Sequence, residues 1–230
     1  MWTLHSDRHF AQWTSDAASR WGATGGGGTP LWLGETDTES PEGPLRLVLE
    51  STDARRLPPA AESFIRGSQW HLSMPEDADW SQSAGVDPFS LSMVARVVES
   101  SAMRWVVELT LAIQTSRLDT HPKLDLHCRG RAVWSKSKAT GNPAVVARMQ
   151  PSTGVGQVAV LLDHHDAPFT SNCSTDQECR LRFFGEFLEK GVIRKARPWL
   201  VFDRSSEPLS QADLDDLLQR QAATPLPLTA

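Results

Sequence analysis

Two long runs of alternating apolar and polar residues, Phe89–Val98 and Arg104–Gln114, constrain the fold of this chain more than any other feature. An alternation with a period of two over this length is typical of β-strands that bury one face. The polar segment Glu99–Ala102 separates the two runs and is short enough to form a turn. The pattern therefore predicts an antiparallel hairpin on which the core assembles.

Shorter runs of the same kind lie on both sides of this hairpin. Gln157–Asp163 is apolar on both faces, as expected of a strand that is covered on both sides. The other runs are Leu31–Leu33, Leu45–Leu49, Phe64–Met74, Leu124–Cys128, Arg131–Ser137 and Pro143–Met149. The acidic stretch 75–88 predicts a surface loop, and no regular strand–helix succession indicates a parallel sheet. We therefore predict an all-β fold, an antiparallel β-sandwich or a barrel-like relative of it.

The first 30 residues do not alternate. Four of them recur at helical spacing: Phe10, Trp13, Ala17 and Trp21. We interpret residues 1–30 as an irregular or helical segment leading into a single domain that covers residues 1–230. The glycine run Gly25–Gly28 lacks the spacing of nucleotide-binding loops and the lysine of the P-loop, so no cofactor is expected.

The run Arg180–Phe202 fits two structures. Its apolar residues suit a helix that ends at Gly191, and they also suit a hairpin with its turn at Glu189–Gly191. Gly185 lies in the middle of the run, and glycine costs about 1 kcal/mol inside a helix, so the hairpin is favoured.

A helix is predicted near the end of the sequence. Ser210 and Asp213 have the spacing of a capping box, and an apolar stripe follows: Leu214, Leu217 and Leu218. We therefore expect a helix over residues 209–222 and a tail over residues 223–230.

Composition excludes some classes of partner. The formal net charge is −5 and the pI is near 5.8, which argues against nucleic acid as a partner, because phosphate binding needs basic clusters. No secretory signal is recognisable, and no run approaches the roughly 18 apolar residues of a membrane helix. We expect no membrane partner and a cytoplasmic location. Nine tryptophans are present, and they suit either a core or a ligand platform.

Three cysteines do not make a disulfide framework. Cys173 and Cys179 are close enough in sequence for a local bridge, but two unpaired thiols are the expectation in a reducing compartment. Cys128 ends an apolar alternation and is expected to be buried.

The densest group of ligand-type side chains is Asp163-His164-His165-Asp166. Imidazole and carboxylate bind Zn, Fe or Mn, so His164, His165 and Asp166 are candidate metal ligands. On a strand, however, neighbouring side chains point to opposite faces, and other histidines would have to complete the site. The competing interpretation is a polar strand end that runs into a loop.

Asp119 and His121 are candidate catalytic residues. A carboxylate can fix the tautomer of an imidazole for acid–base chemistry, and the two residues follow the second strand of the predicted hairpin. The alternative is ordinary turn chemistry, in which Asp119 starts a turn and Pro122 ends it.

A third candidate site lies on the run Phe64–Met74. Four of its residues are candidate ligand-binding residues: Arg66, Gln69, Trp70 and His71. Gln69 and His71 share one strand face and Trp70 lies on the other, an arrangement found in sugar sites and also in any half-exposed strand. A locally basic segment, Arg194–Arg197, could bind an anion or form a solvated face.

Two functions follow as hypotheses. The first is a non-catalytic carbohydrate- or protein-binding module, because no catalytic motif is found. The second is an enzyme acting on a sugar or a similar polar molecule, an epimerase or a metal-assisted hydrolase, using the His and Asp residues described above. The sequence leaves the oligomeric state open.

Overall fold

The computed structural model describes residues 1–5, 10–14, 20–25, 28–36, 45–137, 140–141, 144–151 and 156–225. Within them the chain is mostly antiparallel β-sheet, with a helix towards its C-terminal end. The predicted all-β class with a short C-terminal helix is confirmed. In the part of the chain that the structure describes, no helix has the length and apolar character needed to cross a membrane.

The described residues form sixteen strands and two α-helices. The strands before the first helix are β1 (Trp2–His5), β2 (Phe10–Thr14), β3 (Arg20–Thr24), β4 (Leu31–Glu35), β5 (Arg46–Ser51), β6 (Glu62–Arg66) and β7 (Gln69–Met74). Helix α1 (Ala78–Ala84) precedes β8 (Ser90–Ser100), β9 (Arg104–Gln114), β10 (Lys123–Ser137), β11 (Ala144–Pro151) and β12 (Gln157–Leu162). The remaining elements are β13 (Thr170–Asn172), β14 (Glu178–Phe184), β15 (Arg194–Ala196), β16 (Trp199–Asp203) and α2 (Gln211–Ala223).

The strands form one sheet that nearly closes on itself. Its order is β1-β2-β3-β4-β5-β10-β11-β12-β16-β9-β8-β7-β6, with β14 pairing with β10 and β13, and β15 pairing with β9. Strand β10 is long enough to pair with β5 and β14 through its first half and with β11 through its second. Across the remaining gap, the indole Nε1 of Trp2 donates to the carbonyl of Ser68 at 3.1 Å. The architecture is therefore barrel-like rather than two separate sheets.

The predicted central hairpin is confirmed as β8 and β9. Their register runs from Ser90 opposite Gln114 to Ser100 opposite Trp105, with one irregularity between Val97 and Glu99. The inward-facing residues of both strands are buried in the barrel, except for the half-buried Val97. In the sheet, this hairpin lies between β16 on one side and the β7–β6 pair on the other.

Aromatic rings fill the interior of the barrel. The Trp21 and Trp105 rings stack with their centroids 5.6 Å apart, and Trp2 meets the edge of Trp105 at 6.0 Å. None of the nine tryptophans is exposed: six are buried, and Trp13, Trp32 and Trp134 are half-buried.

A second apolar cluster lies outside the barrel, beneath α2. The Ser210 hydroxyl accepts from the Asp213 N–H, and the Asp213 carboxylate accepts from the Ser210 N–H, as the capping box predicts. The leucine stripe of α2 packs on outward residues of four strands: Val106, Val146, Leu161 and Val201. The predicted helix is confirmed. Of the predicted tail, residues 226–230 lie outside the described residues.

Two segment predictions are wrong. Residues 1–30 are not irregular or helical where the structure describes them, because Phe10, Trp13 and Trp21 lie on β2 and β3; Ala17 lies outside the described residues. Stretch 75–88 is not only a loop, since it contains α1, whose first turn is capped by Asp77.

The hairpin predicted within Arg180–Phe202 is also wrong. The residues are extended, but β14 pairs with β10 and β13, whereas β15 pairs with β9 and β16 with β9 and β12. Alternation sets the faces of a strand and leaves its partner undetermined. The three cysteines are free, with Cys128 and Cys179 buried and Cys173 half-buried.

Candidate functional site

A cavity of about 520 Å³ opens where three segments of the chain meet. The first segment, residues 163–170, follows β12 and contains a short 3₁₀-helix. The second is the end of β14 with the residues after it, and the third is β15 with Arg197. Thr110 of β9 completes the lining. A concave space of this size is typical of a site for a small molecule.

Hydrogen bonds fix the turn at the start of residues 163–170. Oδ1 of Asp163 accepts from the backbone N–H of His165 at 2.7 Å and of Asp166 at 3.2 Å. The Thr170 hydroxyl donates to the carbonyl of Asp166 at 2.9 Å. The backbone of Asp166 is therefore held on both sides, and its side chain has a defined position in the cavity wall.

The Asp166 carboxylate is one of the buried charged groups that line the cavity. Its Oδ2 accepts from the backbone N–H of Arg197 at 2.8 Å. Burial raises the pKa of Asp166 to about 6, and the charge of Asp163 adds to this rise, while the hydrogen bond from Arg197 opposes it. At neutral pH the carboxylate is mostly ionised, in surroundings that favour the neutral form.

The Arg197 side chain is committed to the fold. Its Nη1 donates to the carbonyls of Thr224 and Pro225 at 3.0 Å, and its Nη2 lies 3.6 Å from Asp163. The guanidinium thus binds carbonyls at the C-terminal end of α2, where a cation is favourable. Arg197 connects the cavity to the helix and has little capacity left for a ligand.

The mouth of the cavity carries opposite charges. Arg194 donates to Glu186 at 2.8 Å, and both side chains are accessible to solvent. Lys195 is exposed as well. Exposed charges of this kind contribute little binding energy on their own, because water already solvates them.

Three phenylalanines give the cavity its apolar character. Phe183 is buried, Phe184 is half-buried and Phe169 is 56% exposed. Phe184 ends β14 with a φ of 64°, which is uncommon for a bulky residue. The rings extend from the core to the surface, so an apolar ligand would contact aromatic faces over the depth of the cavity.

The candidate metal residues are only partly brought together. His165 and Asp166 line the cavity, while the His164 ring lies tilted against that of His165, with ring centroids 3.9 Å apart. No group of three His, Cys, Asp or Glu side chains able to hold a metal ion occurs within the described ranges. The set His164, His165 and Asp166 therefore does not form the expected centre.

The candidate catalytic pair lies outside the cavity lining. Asp119 is an exposed turn residue with a φ of 57°, and His121 is exposed beside Phe187, with ring centroids 6.0 Å apart. This placement matches the turn interpretation of Asp119.

The candidate ligand-binding residues on β6 and β7 are divided between two faces. Trp70 is fully buried and its Nε1 donates to Ser63 at 2.9 Å, so it has no surface to offer a ligand. His71 lies on the outer face, stacked on Phe64 with centroids 4.8 Å apart and bonded to Gln69. Burial and the charge of Arg66 lower the pKa of His71.

Sequence reasoning missed the aromatic half of the cavity. Phe183 and Phe184 are adjacent apolar residues at the end of an alternating run, and such a pair indicates that both faces of the strand are buried there. Nothing in the sequence around Phe169 or Thr110 indicates a site, because strand pairing alone brings these residues to the cavity. No known family model matches this chain, and no curated protein matches it significantly.

Proposed function

We propose that this protein is a non-catalytic binding module that holds a small organic molecule in the cavity between residues 163–170, β14 and β15. The observation that carries the proposal is the cavity itself, which is lined by three phenylalanines and two buried carboxylates, those of Asp163 and Asp166. Predominantly apolar sites with a few placed polar groups are the usual form of small-molecule sites.

The apolar lining makes a carbohydrate, one of the ligand classes expected from the sequence, a poor match for the cavity. A carbohydrate presents many hydroxyl groups, each of which needs a hydrogen-bond partner when it is buried. Of the buried polar side chains in the lining, Asp163 and Arg197 are engaged in internal bonds and the Thr170 hydroxyl donates to the carbonyl of Asp166, which leaves Asp166 as the main buried partner. A ligand less polar than a sugar therefore suits the site best.

The alternative function, an enzyme acting on a sugar, keeps two of its candidate residues beside the cavity, His165 and Asp166. Asp166 has a pKa near 6, which suits an acid–base group. Asp119 and His121 do not line the cavity, so they provide no second group beside it. The binding module is the better supported of the two functions.

Binding of an uncharged fluorescent dye tests the proposed function. N-phenylnaphthylamine brightens in apolar surroundings, and we expect it to bind with one saturable site per chain. Thr110→Phe places a ring in the cavity and is expected to weaken dye binding about tenfold or more, since binding depends on the filled volume. A monosaccharide such as glucose is not expected to displace the dye.

Thr3→Phe is the matched control, because Thr3 is an exposed strand residue away from the cavity lining. It should leave dye affinity unchanged, and circular dichroism should show that both variants are folded. Absence of saturable binding to the wild-type protein, or equal binding to Thr110→Phe, would contradict the proposal.

A further inference from the structure

We propose that the cavity takes a ligand with an apolar body and one ammonium group, and that Asp166 binds the ammonium. This inference rests on the proposed function, because it assigns a chemical class to the ligand of the same cavity. The free acceptor on Asp166, the engagement of the neighbouring charges and the aromatic lining support it.

Asp166 has an acceptor that the fold does not use. Oδ2 is bonded to the Arg197 N–H at 2.8 Å, whereas no donor among the described residues reaches the other carboxylate oxygen. That oxygen is not sealed from solvent, unlike the shielded unpaired polar atoms elsewhere in the fold. A carboxylate in an apolar cavity gains most from a donor that also carries positive charge.

The neighbouring carboxylates have less need of such a donor. Asp163 accepts two backbone N–H bonds and lies 3.6 Å from the Arg197 guanidinium. Glu186 is exposed and receives a bond from Arg194 at 2.8 Å. Asp166 is thus the one lining carboxylate that is buried without an ion pair among the described residues.

A ligand anion has no comparable partner. Arg194 is paired with Glu186, and the guanidinium of Arg197 is bound to carbonyls at the end of α2. The Nε of Arg197 finds no acceptor among the residues that the structure describes, but it is shielded from solvent and out of a ligand's reach. Lys195 is exposed, so an anion there would gain little over water.

The aromatic lining favours a cation further. The face of a phenylalanine ring carries partial negative charge and attracts ammonium groups within about 6 Å of its centre. Phe169, Phe183 and Phe184 surround the same space that Asp166 lines. The cavity therefore provides apolar contact for the body of the ligand and electrostatic attraction for a cationic head.

A matched series of head groups tests this inference on the unaltered protein. Naphthylethylamine, naphthylethanol and naphthylpropionate share one apolar body and differ in charge. They are measured by displacement of N-phenylnaphthylamine at neutral pH. We expect the amine to bind at least about tenfold more tightly than the alcohol, and the carboxylate more weakly than both, since a charged hydrogen bond outweighs a neutral one.

Asp166→Asn supplies the second measurement. The amide oxygen can still accept from the Arg197 N–H, while the negative charge is lost. We expect amine affinity to fall about tenfold, with dye and alcohol affinities changing less than about threefold. Asp87→Asn is the control, because it makes the same change of charge at an exposed aspartate outside the cavity lining. It should leave the affinities for the amine, the dye and the alcohol unchanged.

The outcomes separate this inference from the proposed function. Equal binding of the three head groups, or tightest binding of the carboxylate, overturns the inference and leaves the cavity as a binding site. Failure of the wild-type protein to bind the dye and all three compounds overturns both. If Asp166→Asn does not fold, the order of affinities of the three compounds for the wild-type protein decides whether the inference holds.

Discussion

Charged residues on the outer face of β5, β10 and β14 neutralise one another in a continuous network. Asp125 is fully buried and accepts from Arg180 at 2.8 Å and from Arg182 at 2.9 Å. Glu50 lies 3.3 Å from His127 and 3.4 Å from Arg180. Buried carboxylates are tolerated here because each has several cationic neighbours, and removal of one member would leave an uncompensated charge.

Glu50 is expected to make stability depend on pH, and its replacement by glutamine should remove that dependence. Burial alone would raise its pKa, but His127 and Arg55 outweigh burial and lower the pKa of Glu50 from 4.5 to about 2. Ionised Glu50 therefore stabilises the fold above about pH 4.5, and this contribution is lost as the pH falls towards 2. Glu50→Gln should lower the free energy of unfolding at pH 7 by about 2–3 kcal/mol, after allowance for solvent screening of the exposed Arg55.

Urea unfolding of wild type and Glu50→Gln at pH 7 and about pH 2.5 provides the measurement. The difference in unfolding free energy between wild type and Glu50→Gln should shrink at the lower pH, where the wild-type glutamate is partly protonated. Glu62→Gln, at an exposed glutamate, is the control and should change stability by less than about 0.5 kcal/mol. An equal loss at both pH values would assign the effect to packing instead of charge.

Elements differ in how much of their structure local sequence determines. Helix α2 was predictable because its capping box and leucine stripe lie within a dozen residues, and both signals act inside the helix. The β8–β9 hairpin was predictable because its partners are neighbours in sequence. Strands β14 and β15 were recognised as extended, but their partners β10 and β9 lie far away along the chain, and alternation contains no information about them.

Loss of the α2 cap should destabilise the protein modestly. Ser210→Ala removes the hydroxyl that accepts from the Asp213 N–H, and we expect unfolding to require about 1 kcal/mol less free energy. Ser92→Ala, at an exposed strand position, is the control. Chemical denaturation followed by far-ultraviolet circular dichroism measures both. If the two variants are equally stable, the capping box does not contribute.

The closed sheet as a whole explains why the cavity could not be predicted in full. Asp166 and the basic segment were singled out from local composition, but Phe183 and Thr110 reach them only because β14 joins β10 while β15 joins β9. A site built from segments this far apart depends on the strand order of the sheet. Residue types alone placed Trp70 in a ligand site, whereas closure of the barrel places it in the core.

Contacts across the gap between β1 and β6 are expected to stabilise the whole molecule. Trp2 is buried, packs against Trp70 and Trp105, and donates to Ser68. Trp2→Ala should therefore cost about 3–5 kcal/mol of unfolding free energy, as for other large core truncations. Trp2→Phe keeps a ring but loses the hydrogen bond, and it should cost clearly less. A loss below about 1 kcal/mol for Trp2→Ala in urea unfolding would show that closure contributes little.

The position of α2 after all the strands has a consequence for synthesis on the ribosome. The apolar outer face of β11, β12, β16 and β9 is complete once Asp203 has been translated, but its cover, Gln211–Ala223, emerges later. During that interval a nascent chain presents Val146, Leu161 and Val201 to other nascent chains, and such surfaces promote aggregation. Ribosome-bound chains that have exposed β16 but still hold α2 inside the exit tunnel should therefore recruit chaperones that chains with α2 outside the tunnel no longer need.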